Sequence, residues 1–556
     1  MTKKILFPER QVGHLTPLRG GHDISRTEYI ALTAQQQLNM IRLAQGRKKH
    51  DLIIESQRAE QLVPQLHPQE LYLTINELGT DYSIELLALA STDQITTLWD
   101  LDCWDGDHLS PVLSLQWLGL LLEMGEDQAC TLMRTIEPEL LALFLKKHLT
   151  ITRGIEAYDD DNVENARRLE SLYDVDYKSE DAAKIIGALL RIWQEHEQGS
   201  YLLVMEMIRS ENLAILEEEV FQARNSRLLD LGLIPASEAK AIYGYIDPRE
   251  FKPGGKSDFR LEAESLLPPT ALLNRARPDN LLAEAMATGL DHDTASELLF
   301  LVNRKMSADG TDISSSADVA AELQNTYDIL NLALEYLAGH DVTRAEQIFR
   351  STYLLHLFQL GHSLIKKLQI RAGKLLDNPV YPFLDYPELL FIDAFLQRPA
   401  SLYREATTDK PNALHPIRTM QDLQLVEIRL AGIEALARMF NEVLPFSLPD
   451  PDPDNEDQTT LSGIFMTAVA NRLLEGSLHP QPLSKSALAA LKNRTIVDAA
   501  INRDFATETQ RLFEKIAPEC LFFCSFCMEL WKDFFLAYEQ DSQRIPFRGF
   551  LILDEE

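Results

Sequence analysis

Apolar positions along this chain recur mainly three and four residues apart, the period of an amphipathic helix. A first helical stretch runs from about Glu28 to Ala44, and Arg47-Lys48-Lys49 after it reads as a solvated basic turn. From Leu66 a loose repeat sets in, made of an aliphatic residue, a polar capping position, often a proline, and then an amphipathic helix. Its starts are Leu66-His67-Pro68, Leu89-Ala90-Ser91, Leu109-Ser110-Pro111 and Ile136-Glu137-Pro138, spaced by 23, 20 and 27 residues. Such spacing suits stacked helices joined by short turns. Ser91-Thr92-Asp93-Gln94 has the form of a capping box, and Ser110 before Pro111 places a cap ahead of an N1 proline. Leu71, Ile75 and Leu78 share one helical face, as do Leu113, Trp117, Leu120 and Leu121. Gly125 is a helix stop. None of these helices can bury its apolar stripe alone, so they must stack on neighbours.

Beyond Leu149 the pattern predicts an acidic loop at 158–162 and helices over about 182–197 and 200–231, the latter closed by Gly232. Residues 247–280, with Pro253-Gly254-Gly255 and Pro268-Pro269, read as an irregular connection. A second helical block has its clearest segments at 317–338, 343–360 and 363–376. The run Pro449-Asp450-Pro451-Asp452-Pro453-Asp454 is the strongest linker signal. A C-terminal helical unit follows, with a short strand expected over 547–553. Alternating strand patterns are otherwise scarce. The fold expected is all-α or nearly so, a helical-repeat, α-solenoid-like, multi-domain architecture. Its parts are an N-terminal helical lead (1–60), a helical-repeat domain (61–246), the connection (247–280), a second helical domain (281–448), the acidic linker (449–459) and the C-terminal unit (460–556).

Composition narrows the function. The 556 residues carry a formal charge of −32, and so acidic a surface repels phosphate backbones. No nucleic-acid partner is expected, and anionic membranes are disfavoured; a basic protein partner and divalent cations stay open. No run of about 18 apolar residues occurs, and the start of the chain lacks the apolar core of a secretory signal. Five cysteines suit a reducing compartment better than a disulfide framework. The expectation is a cytoplasmic protein with no membrane insertion.

Four parts of the chain carry a family likeness: Leu71-Tyr72-Leu73 through Trp104, Asp230-Leu231-Gly232, Leu360-Gly361-His362-Ser363-Leu364 and Ala470-Asn471-Arg472-Leu473-Leu474. Together they resemble a family of uncharacterised bacterial cytoplasmic proteins, known only as a conserved domain of unknown function. The likeness spans most of the chain and brings no activity with it. In rhythm, residues 66–149 are also similar to the cytosolic N-terminal domain of MgtE magnesium transporters. That similarity implies a right-handed helical superhelix whose acidic side chains take part in magnesium sensing. The nucleotide-binding domain pair and membrane helices of such a transporter are not evident in the chain.

Several local motifs echo known chemistry without completing it. Cys520, Cys524 and Cys527 have the C-x3-C-x2-C spacing of a radical S-adenosylmethionine cluster loop. Continued by Trp531 and Phe534, however, they fall at i, i+4, i+7, i+11 and i+14, the apolar stripe of a helix. On a helix Cys520 and Cys527 stand about 10.5 Å apart along the axis, so an Fe–S cluster is disfavoured and buried packing is the better reading. Gly254-Gly255-Lys256-Ser257 echoes the end of a P-loop, but Glu250 stands where the first glycine belongs and no strand leads in. Asp450, Asp452 and Asp454 alternate as in a calcium loop, yet Asn455 and Leu461 occupy the glycine and glutamate positions. Ser363 and Lys366 have the spacing of some acylating enzymes without the companion motifs.

The one stretch that concentrates candidate chemistry is Trp99-Asp100-Leu101-Asp102-Cys103-Trp104-Asp105-Gly106-Asp107-His108. Asp100, Asp102, Asp105, Asp107 and His108 offer hard oxygen ligands, and one nitrogen, for Mg²⁺ or Ca²⁺. The competing reading, which is favoured, is a turn between two well-signalled helices, with both tryptophans in the core and Gly106 supplying an unusual backbone angle. On this sequence the expected function is that of a non-enzymatic interaction or scaffold protein with one or more protein partners. The alternatives are a divalent-cation-responsive regulator and an enzyme whose site is assembled between domains.

Overall fold

The computed structural model describes residues 26–153, 173–256, 273, 278–287, 289–404, 413–451, 459–540 and 550–554. The acidic loop at 158–162, Ser257 and residues 452–458 of the Pro/Asp run lie outside the described residues. Among the described residues, helices make up nearly all regular structure, and the strands form four two-stranded antiparallel hairpins. The chain is nearly all-α, as its periodicity predicts. It divides into two compact units, Met1–Leu360 and Gly361–Glu556.

After a short helix at Arg26–Ala31, the first unit continues with α1 (Ala34–Leu43), α2 (Gly46–Glu55) and α3 (Pro68–Leu78). Next come α4 (Thr92–Asp102), a hairpin of β1 (Trp104–Asp105) and β2 (His108–Leu109), α5 (Pro111–Glu123), α6 (Glu126–Thr135) and α7 (Pro138–Lys146). A second hairpin, β3 (Leu149–Arg153) with β4 (Asp174–Tyr177), precedes α8 (Glu180–His196), α9 (Gln198–Ser210) and α10 (Leu213–Asp230). The unit continues through α11 (His292–Asp309), α12 (Ser316–Ala338), α13 (Val342–Ser351) and the start of α14 (Leu354–Leu376).

All four repeat starts are helix starts. Ser91 and Gln94 form the expected reciprocal capping box, Ser110 accepts from the Leu113 N–H, and prolines open α3, α5 and α7. What lies between the starts is uneven, because an extra helix at Thr80–Leu87, α6 and the first hairpin vary the unit. The core collects what these helices cannot bury alone. Trp99 is stacked on Phe144 with ring centroids 4.5 Å apart, amid buried Leu98, Leu121 and Leu140. Burial of each such side chain is worth roughly 1.5–3 kcal/mol.

Three expectations change. The basic Arg47-Lys48-Lys49 is not a solvated turn but the first turns of α2, and Lys49 is buried in an ion pair with Glu70 of α3. The helix expected over 200–231 divides at Asn212, whose side chain accepts from the Ala214 N–H and caps α10. The helix expected over 343–360 divides at Thr352, and there the Glu297 carboxylate of α11 accepts the Leu354 N–H at 2.6 Å. A cap donated from a distant helix leaves no local trace.

Tertiary fit also explains the Asp230-Leu231-Gly232 motif. Gly232 has φ +81°, and a Cβ there would stand 2.9 Å from the Phe300 Cα, so only glycine fits. The Leu231 carbonyl accepts from Asn303, which exchanges two hydrogen bonds of 2.9 and 3.0 Å with Gln69, 234 residues away in sequence. Residues 247–256 are pinned rather than free. The Pro248 carbonyl accepts from Tyr336, the Gly254 N–H donates to Thr352, and Lys256 pairs with Glu297.

The second unit contains the rest of α14, α15 (Tyr386–Leu396), the hairpin β5 (Ser401–Arg404) with β6 (Ala413–Pro416), and α16 (Met420–Arg438), which runs into a π-helical turn at Met439–Val443. It closes with α17 (Leu461–Glu475), α18 (Lys485–Thr495), the hairpin β7 (Ile496–Val497) with β8 (Ala500–Ile501), α19 (Arg503–Ile516) and α20 (Leu521–Gln540). Residues 547–549 of the strand expected near the end lie outside the described residues, and among 550–554 Leu553 makes an isolated parallel bridge with Leu483. The cysteine stripe packs inward. Cys520, in the turn before α20, and Cys524 and Cys527 on α20 are buried in line with Trp531 and Phe534. Burial pushes the Cys520 and Cys524 thiols up to about 11 and raises the Cys527 thiol well above its usual range, so all three are protonated packing groups.

Candidate functional site

The stretch from Trp99 to Leu109 forms a corner. Helix α4 ends at Asp102, and the chain reverses through β1 and β2, with Asp105 opposite His108. Gly106 takes φ +62° at the first central position of the two-residue turn, where a type II′ turn requires glycine. The Ser110 N–H donates to the Cys103 carbonyl at 2.8 Å, closing the corner onto the cap of α5.

The acidic side chains part company here. Asp100 is fully buried and receives a two-pronged guanidinium, Arg227 Nε to Oδ2 at 2.7 Å and Nη2 to Oδ1 at 2.9 Å. The third arm of that guanidinium reaches Glu137 at 2.7 Å. Burial raises the pKa of Asp100, and the Arg227 hydrogen bonds work against that rise. A bidentate partner of this kind favours the ionised pair. Asp102 accepts from the Tyr72 hydroxyl at 3.0 Å and from the Trp117 indole N–H at 2.7 Å. Asp105, Asp107 and His108 lie at the exposed tip, where the Asp107 and His108 side chains are 70% and 74% exposed. Cys103 is buried, and burial, then the charges of Asp102 and Asp100, raise its thiol well above the usual range.

The residues that organise the corner come from α10, more than 100 positions downstream. Glu217 accepts the Leu109 N–H at 2.8 Å and pairs with Lys147 at 2.6 Å. Burial alone would raise its pKa, but Lys147 and that N–H hold it below the usual carboxylate value. Phe221 packs on Trp104 at 5.8 Å, and the Arg224 guanidinium lies 5.3 Å over the same indole while donating to the Asp100 carbonyl at 2.8 Å. Glu217, Phe221, Arg224 and Arg227 sit at i, i+4, i+7 and i+10, one face of the helix. This acidic, aromatic corner is therefore the seat of α10. Among the described residues, no group of three or more His, Cys, Asp or Glu side chains is placed to hold a metal ion.

The second unit has a feature that sequence patterns did not single out. Asp385, at the N-terminus of α15, is buried beside a cavity of about 80 Å³ lined also by Glu388, Phe522, Phe523 and Phe526. Its carboxyl accepts from the Ser462 N–H at 3.2 Å and from the Ser462 hydroxyl, at the first turn of α17. Burial raises its pKa against those hydrogen bonds. Glu388 is already paired with Arg429 at 2.9 Å. Arg429 in turn donates to the Pro387 and Tyr403 carbonyls and lies 4.6 Å over Phe391. Nothing local in the sequence ties the three phenylalanines of α20 to Asp385, more than 130 residues upstream.

A family profile described as "Family of unknown function (DUF6178)" matches residues 26–554. No curated protein and no solved structure matches the chain. No described helix is long and apolar enough to cross a membrane.

Proposed function

The chain belongs to DUF6178, a family of unknown function, over nearly its whole length, and on that premise we propose that it is a non-enzymatic helical interaction protein. Its binding face is formed by α16 and α20 of the second unit. The observation that carries this reading is an exposed apolar stripe. Leu425, Ile428 and Gly432 fall on one face of α16, and a Cβ at Gly432 would touch the Phe522 ring at 3.1 Å, so α20 continues the same surface. Ile428 is 69% exposed, Phe522 45% and Leu425 42%. Scattered exposed apolar residues are ordinary, whereas a contiguous run of them marks an interaction surface. The corner around Asp100 fits a scaffold as well, since Asp100 seats α10 through Arg227 and Asp102 is engaged by Tyr72 and Trp117.

The test is site-specific photocrosslinking of the full chain in its native host. A benzophenone side chain at Ile428 is expected to yield one discrete protein adduct, identifiable by mass spectrometry. The same label at exposed Glu508 on α19 should yield none. Equal adduct patterns at the two positions, or none at Ile428, would remove this reading.

A further inference from the structure

The cavity beside Asp385 adjoins the apolar stripe, and Phe522 belongs to both. We propose that this cavity receives the ammonium group of a lysine side chain carried by the partner protein, with Asp385 as its counter-ion. The proposal rests on the interaction reading above and gives that surface a chemical specificity.

The argument begins with charge. Asp385 is buried, and its hydrogen bonds come from neutral donors only, the Ser462 N–H and hydroxyl and the Thr460 hydroxyl. Among the described residues no lysine, arginine or histidine pairs with it, because nearby Arg429 is committed to Glu388 and two carbonyls. A buried carboxylate without a counter-charge is costly and takes up a proton instead. The other groups facing it do not supply a positive charge: Glu388 repels it, and the Cys527 thiol is protonated. A cation entering the cavity would displace the carboxyl proton to solvent and leave a carboxylate–ammonium pair. No bond other than that O–H is broken.

The walls select which cation. The lining includes three phenylalanine side chains, which suit an organic cation, and only two carboxyl groups, both already engaged, too few oxygens for Mg²⁺ or Ca²⁺, which require about six. An ammonium has three donors to satisfy and a guanidinium five. With Asp385 and an already engaged Glu388 as the acidic acceptors, the smaller demand is the one that can be met. Lysine also brings a four-carbon stem that can lie along Phe522 while its backbone rests on the Leu425–Ile428 stripe.

The experiment is isothermal titration of the full chain with Nα-acetyl-lysine methylamide, run in two buffers of different ionisation enthalpy. Saturable binding is expected, with a heat that differs between buffers because a proton is released. Asp385→Asn, which keeps an acceptor for Ser462, should weaken binding at least about thirtyfold. Phe522→Ala should weaken it about threefold. Phe526→Trp, which fills the cavity from its wall, should abolish binding and keeps the test usable should the aspartate variant fail to fold. The arginine analogue should bind more weakly than the lysine probe. Absence of saturable heat at tens of millimolar, or unchanged binding in folded Asp385→Asn, overturns the proposal. Tighter binding of cadaverine than of the lysine probe overturns it too, reassigning the cavity to a free diamine. If the lysine proposal alone fails, the Ile428 crosslink persists; if the interaction reading fails, that crosslink is absent.

Discussion

His67 stands at the N-cap position of α3 with its ring buried, and burial first, then the Arg42 charge, lowers its pKa from 6.5 to about 4. His148 follows the same course. Burial, then Lys178 and Lys147, bring it to about 4, while its Nε2 lies 2.9 Å from the Ser114 hydroxyl. Both rings are neutral in the folded protein and take up protons more readily when it unfolds. Their contribution to stability is therefore complete above the unfolded value of 6.5 and declines as pH falls through 6.5 toward 4. At pH 5 the loss amounts to roughly 2 kcal/mol for each ring. Urea unfolding should accordingly show a midpoint that drops between about pH 7 and pH 5. The double variant His67→Gln, His148→Gln should show a smaller drop, and an equal drop would place the acid sensitivity elsewhere.

At the scale of elements, the chain's own signals serve well where the physics is local. Ser91, Gln94, Ser110 and Pro111 announce helix starts because a cap needs only the next three residues. The apolar spacing of Cys520, Cys524, Cys527, Trp531 and Phe534 announces a buried stripe for a similar reason. Docking is different. Asp100 and Arg227 are 127 positions apart, and read alone the aspartate is one acid in a row of four. Its identity as a buried ion-pair partner depends on α10 arriving, and on Asn212, whose cap sets where α10 begins. For the same reason the Asp385 cavity escapes pattern reading, since α15, α17 and α20 supply its parts. The seat of α10 makes a quantitative prediction. Arg227→Ala leaves Asp100 buried without its charge partner and should cost about 3–5 kcal/mol in urea unfolding. Asp100→Leu combined with Arg227→Leu should recover much of that loss, because no lone buried charge then remains. If Arg227→Ala costs no more than a surface substitution, α10 is held by Phe221 and the apolar contacts instead.

On the scale of the whole molecule, a formal charge of −32 means that the folded chain works against its own repulsion. Screening length falls to about 10 Å at 0.1 M salt, so added NaCl should raise the melting temperature, steeply at first and then little. Divalent ions separate a diffuse field from a built site. Asp100 and Asp102 already receive Arg227, Tyr72 and Trp117, which leaves Asp105, Asp107 and His108 at an exposed tip. MgCl₂ matched in ionic strength to NaCl is therefore expected to shift the melting temperature by about as much as NaCl does, and Asp105→Asn with Asp107→Asn should not change the comparison. An excess magnesium shift that this double variant abolished would mean that the hairpin tip gathers a cation. The acidic charge would then have a local task, in addition to setting which partners the surface repels.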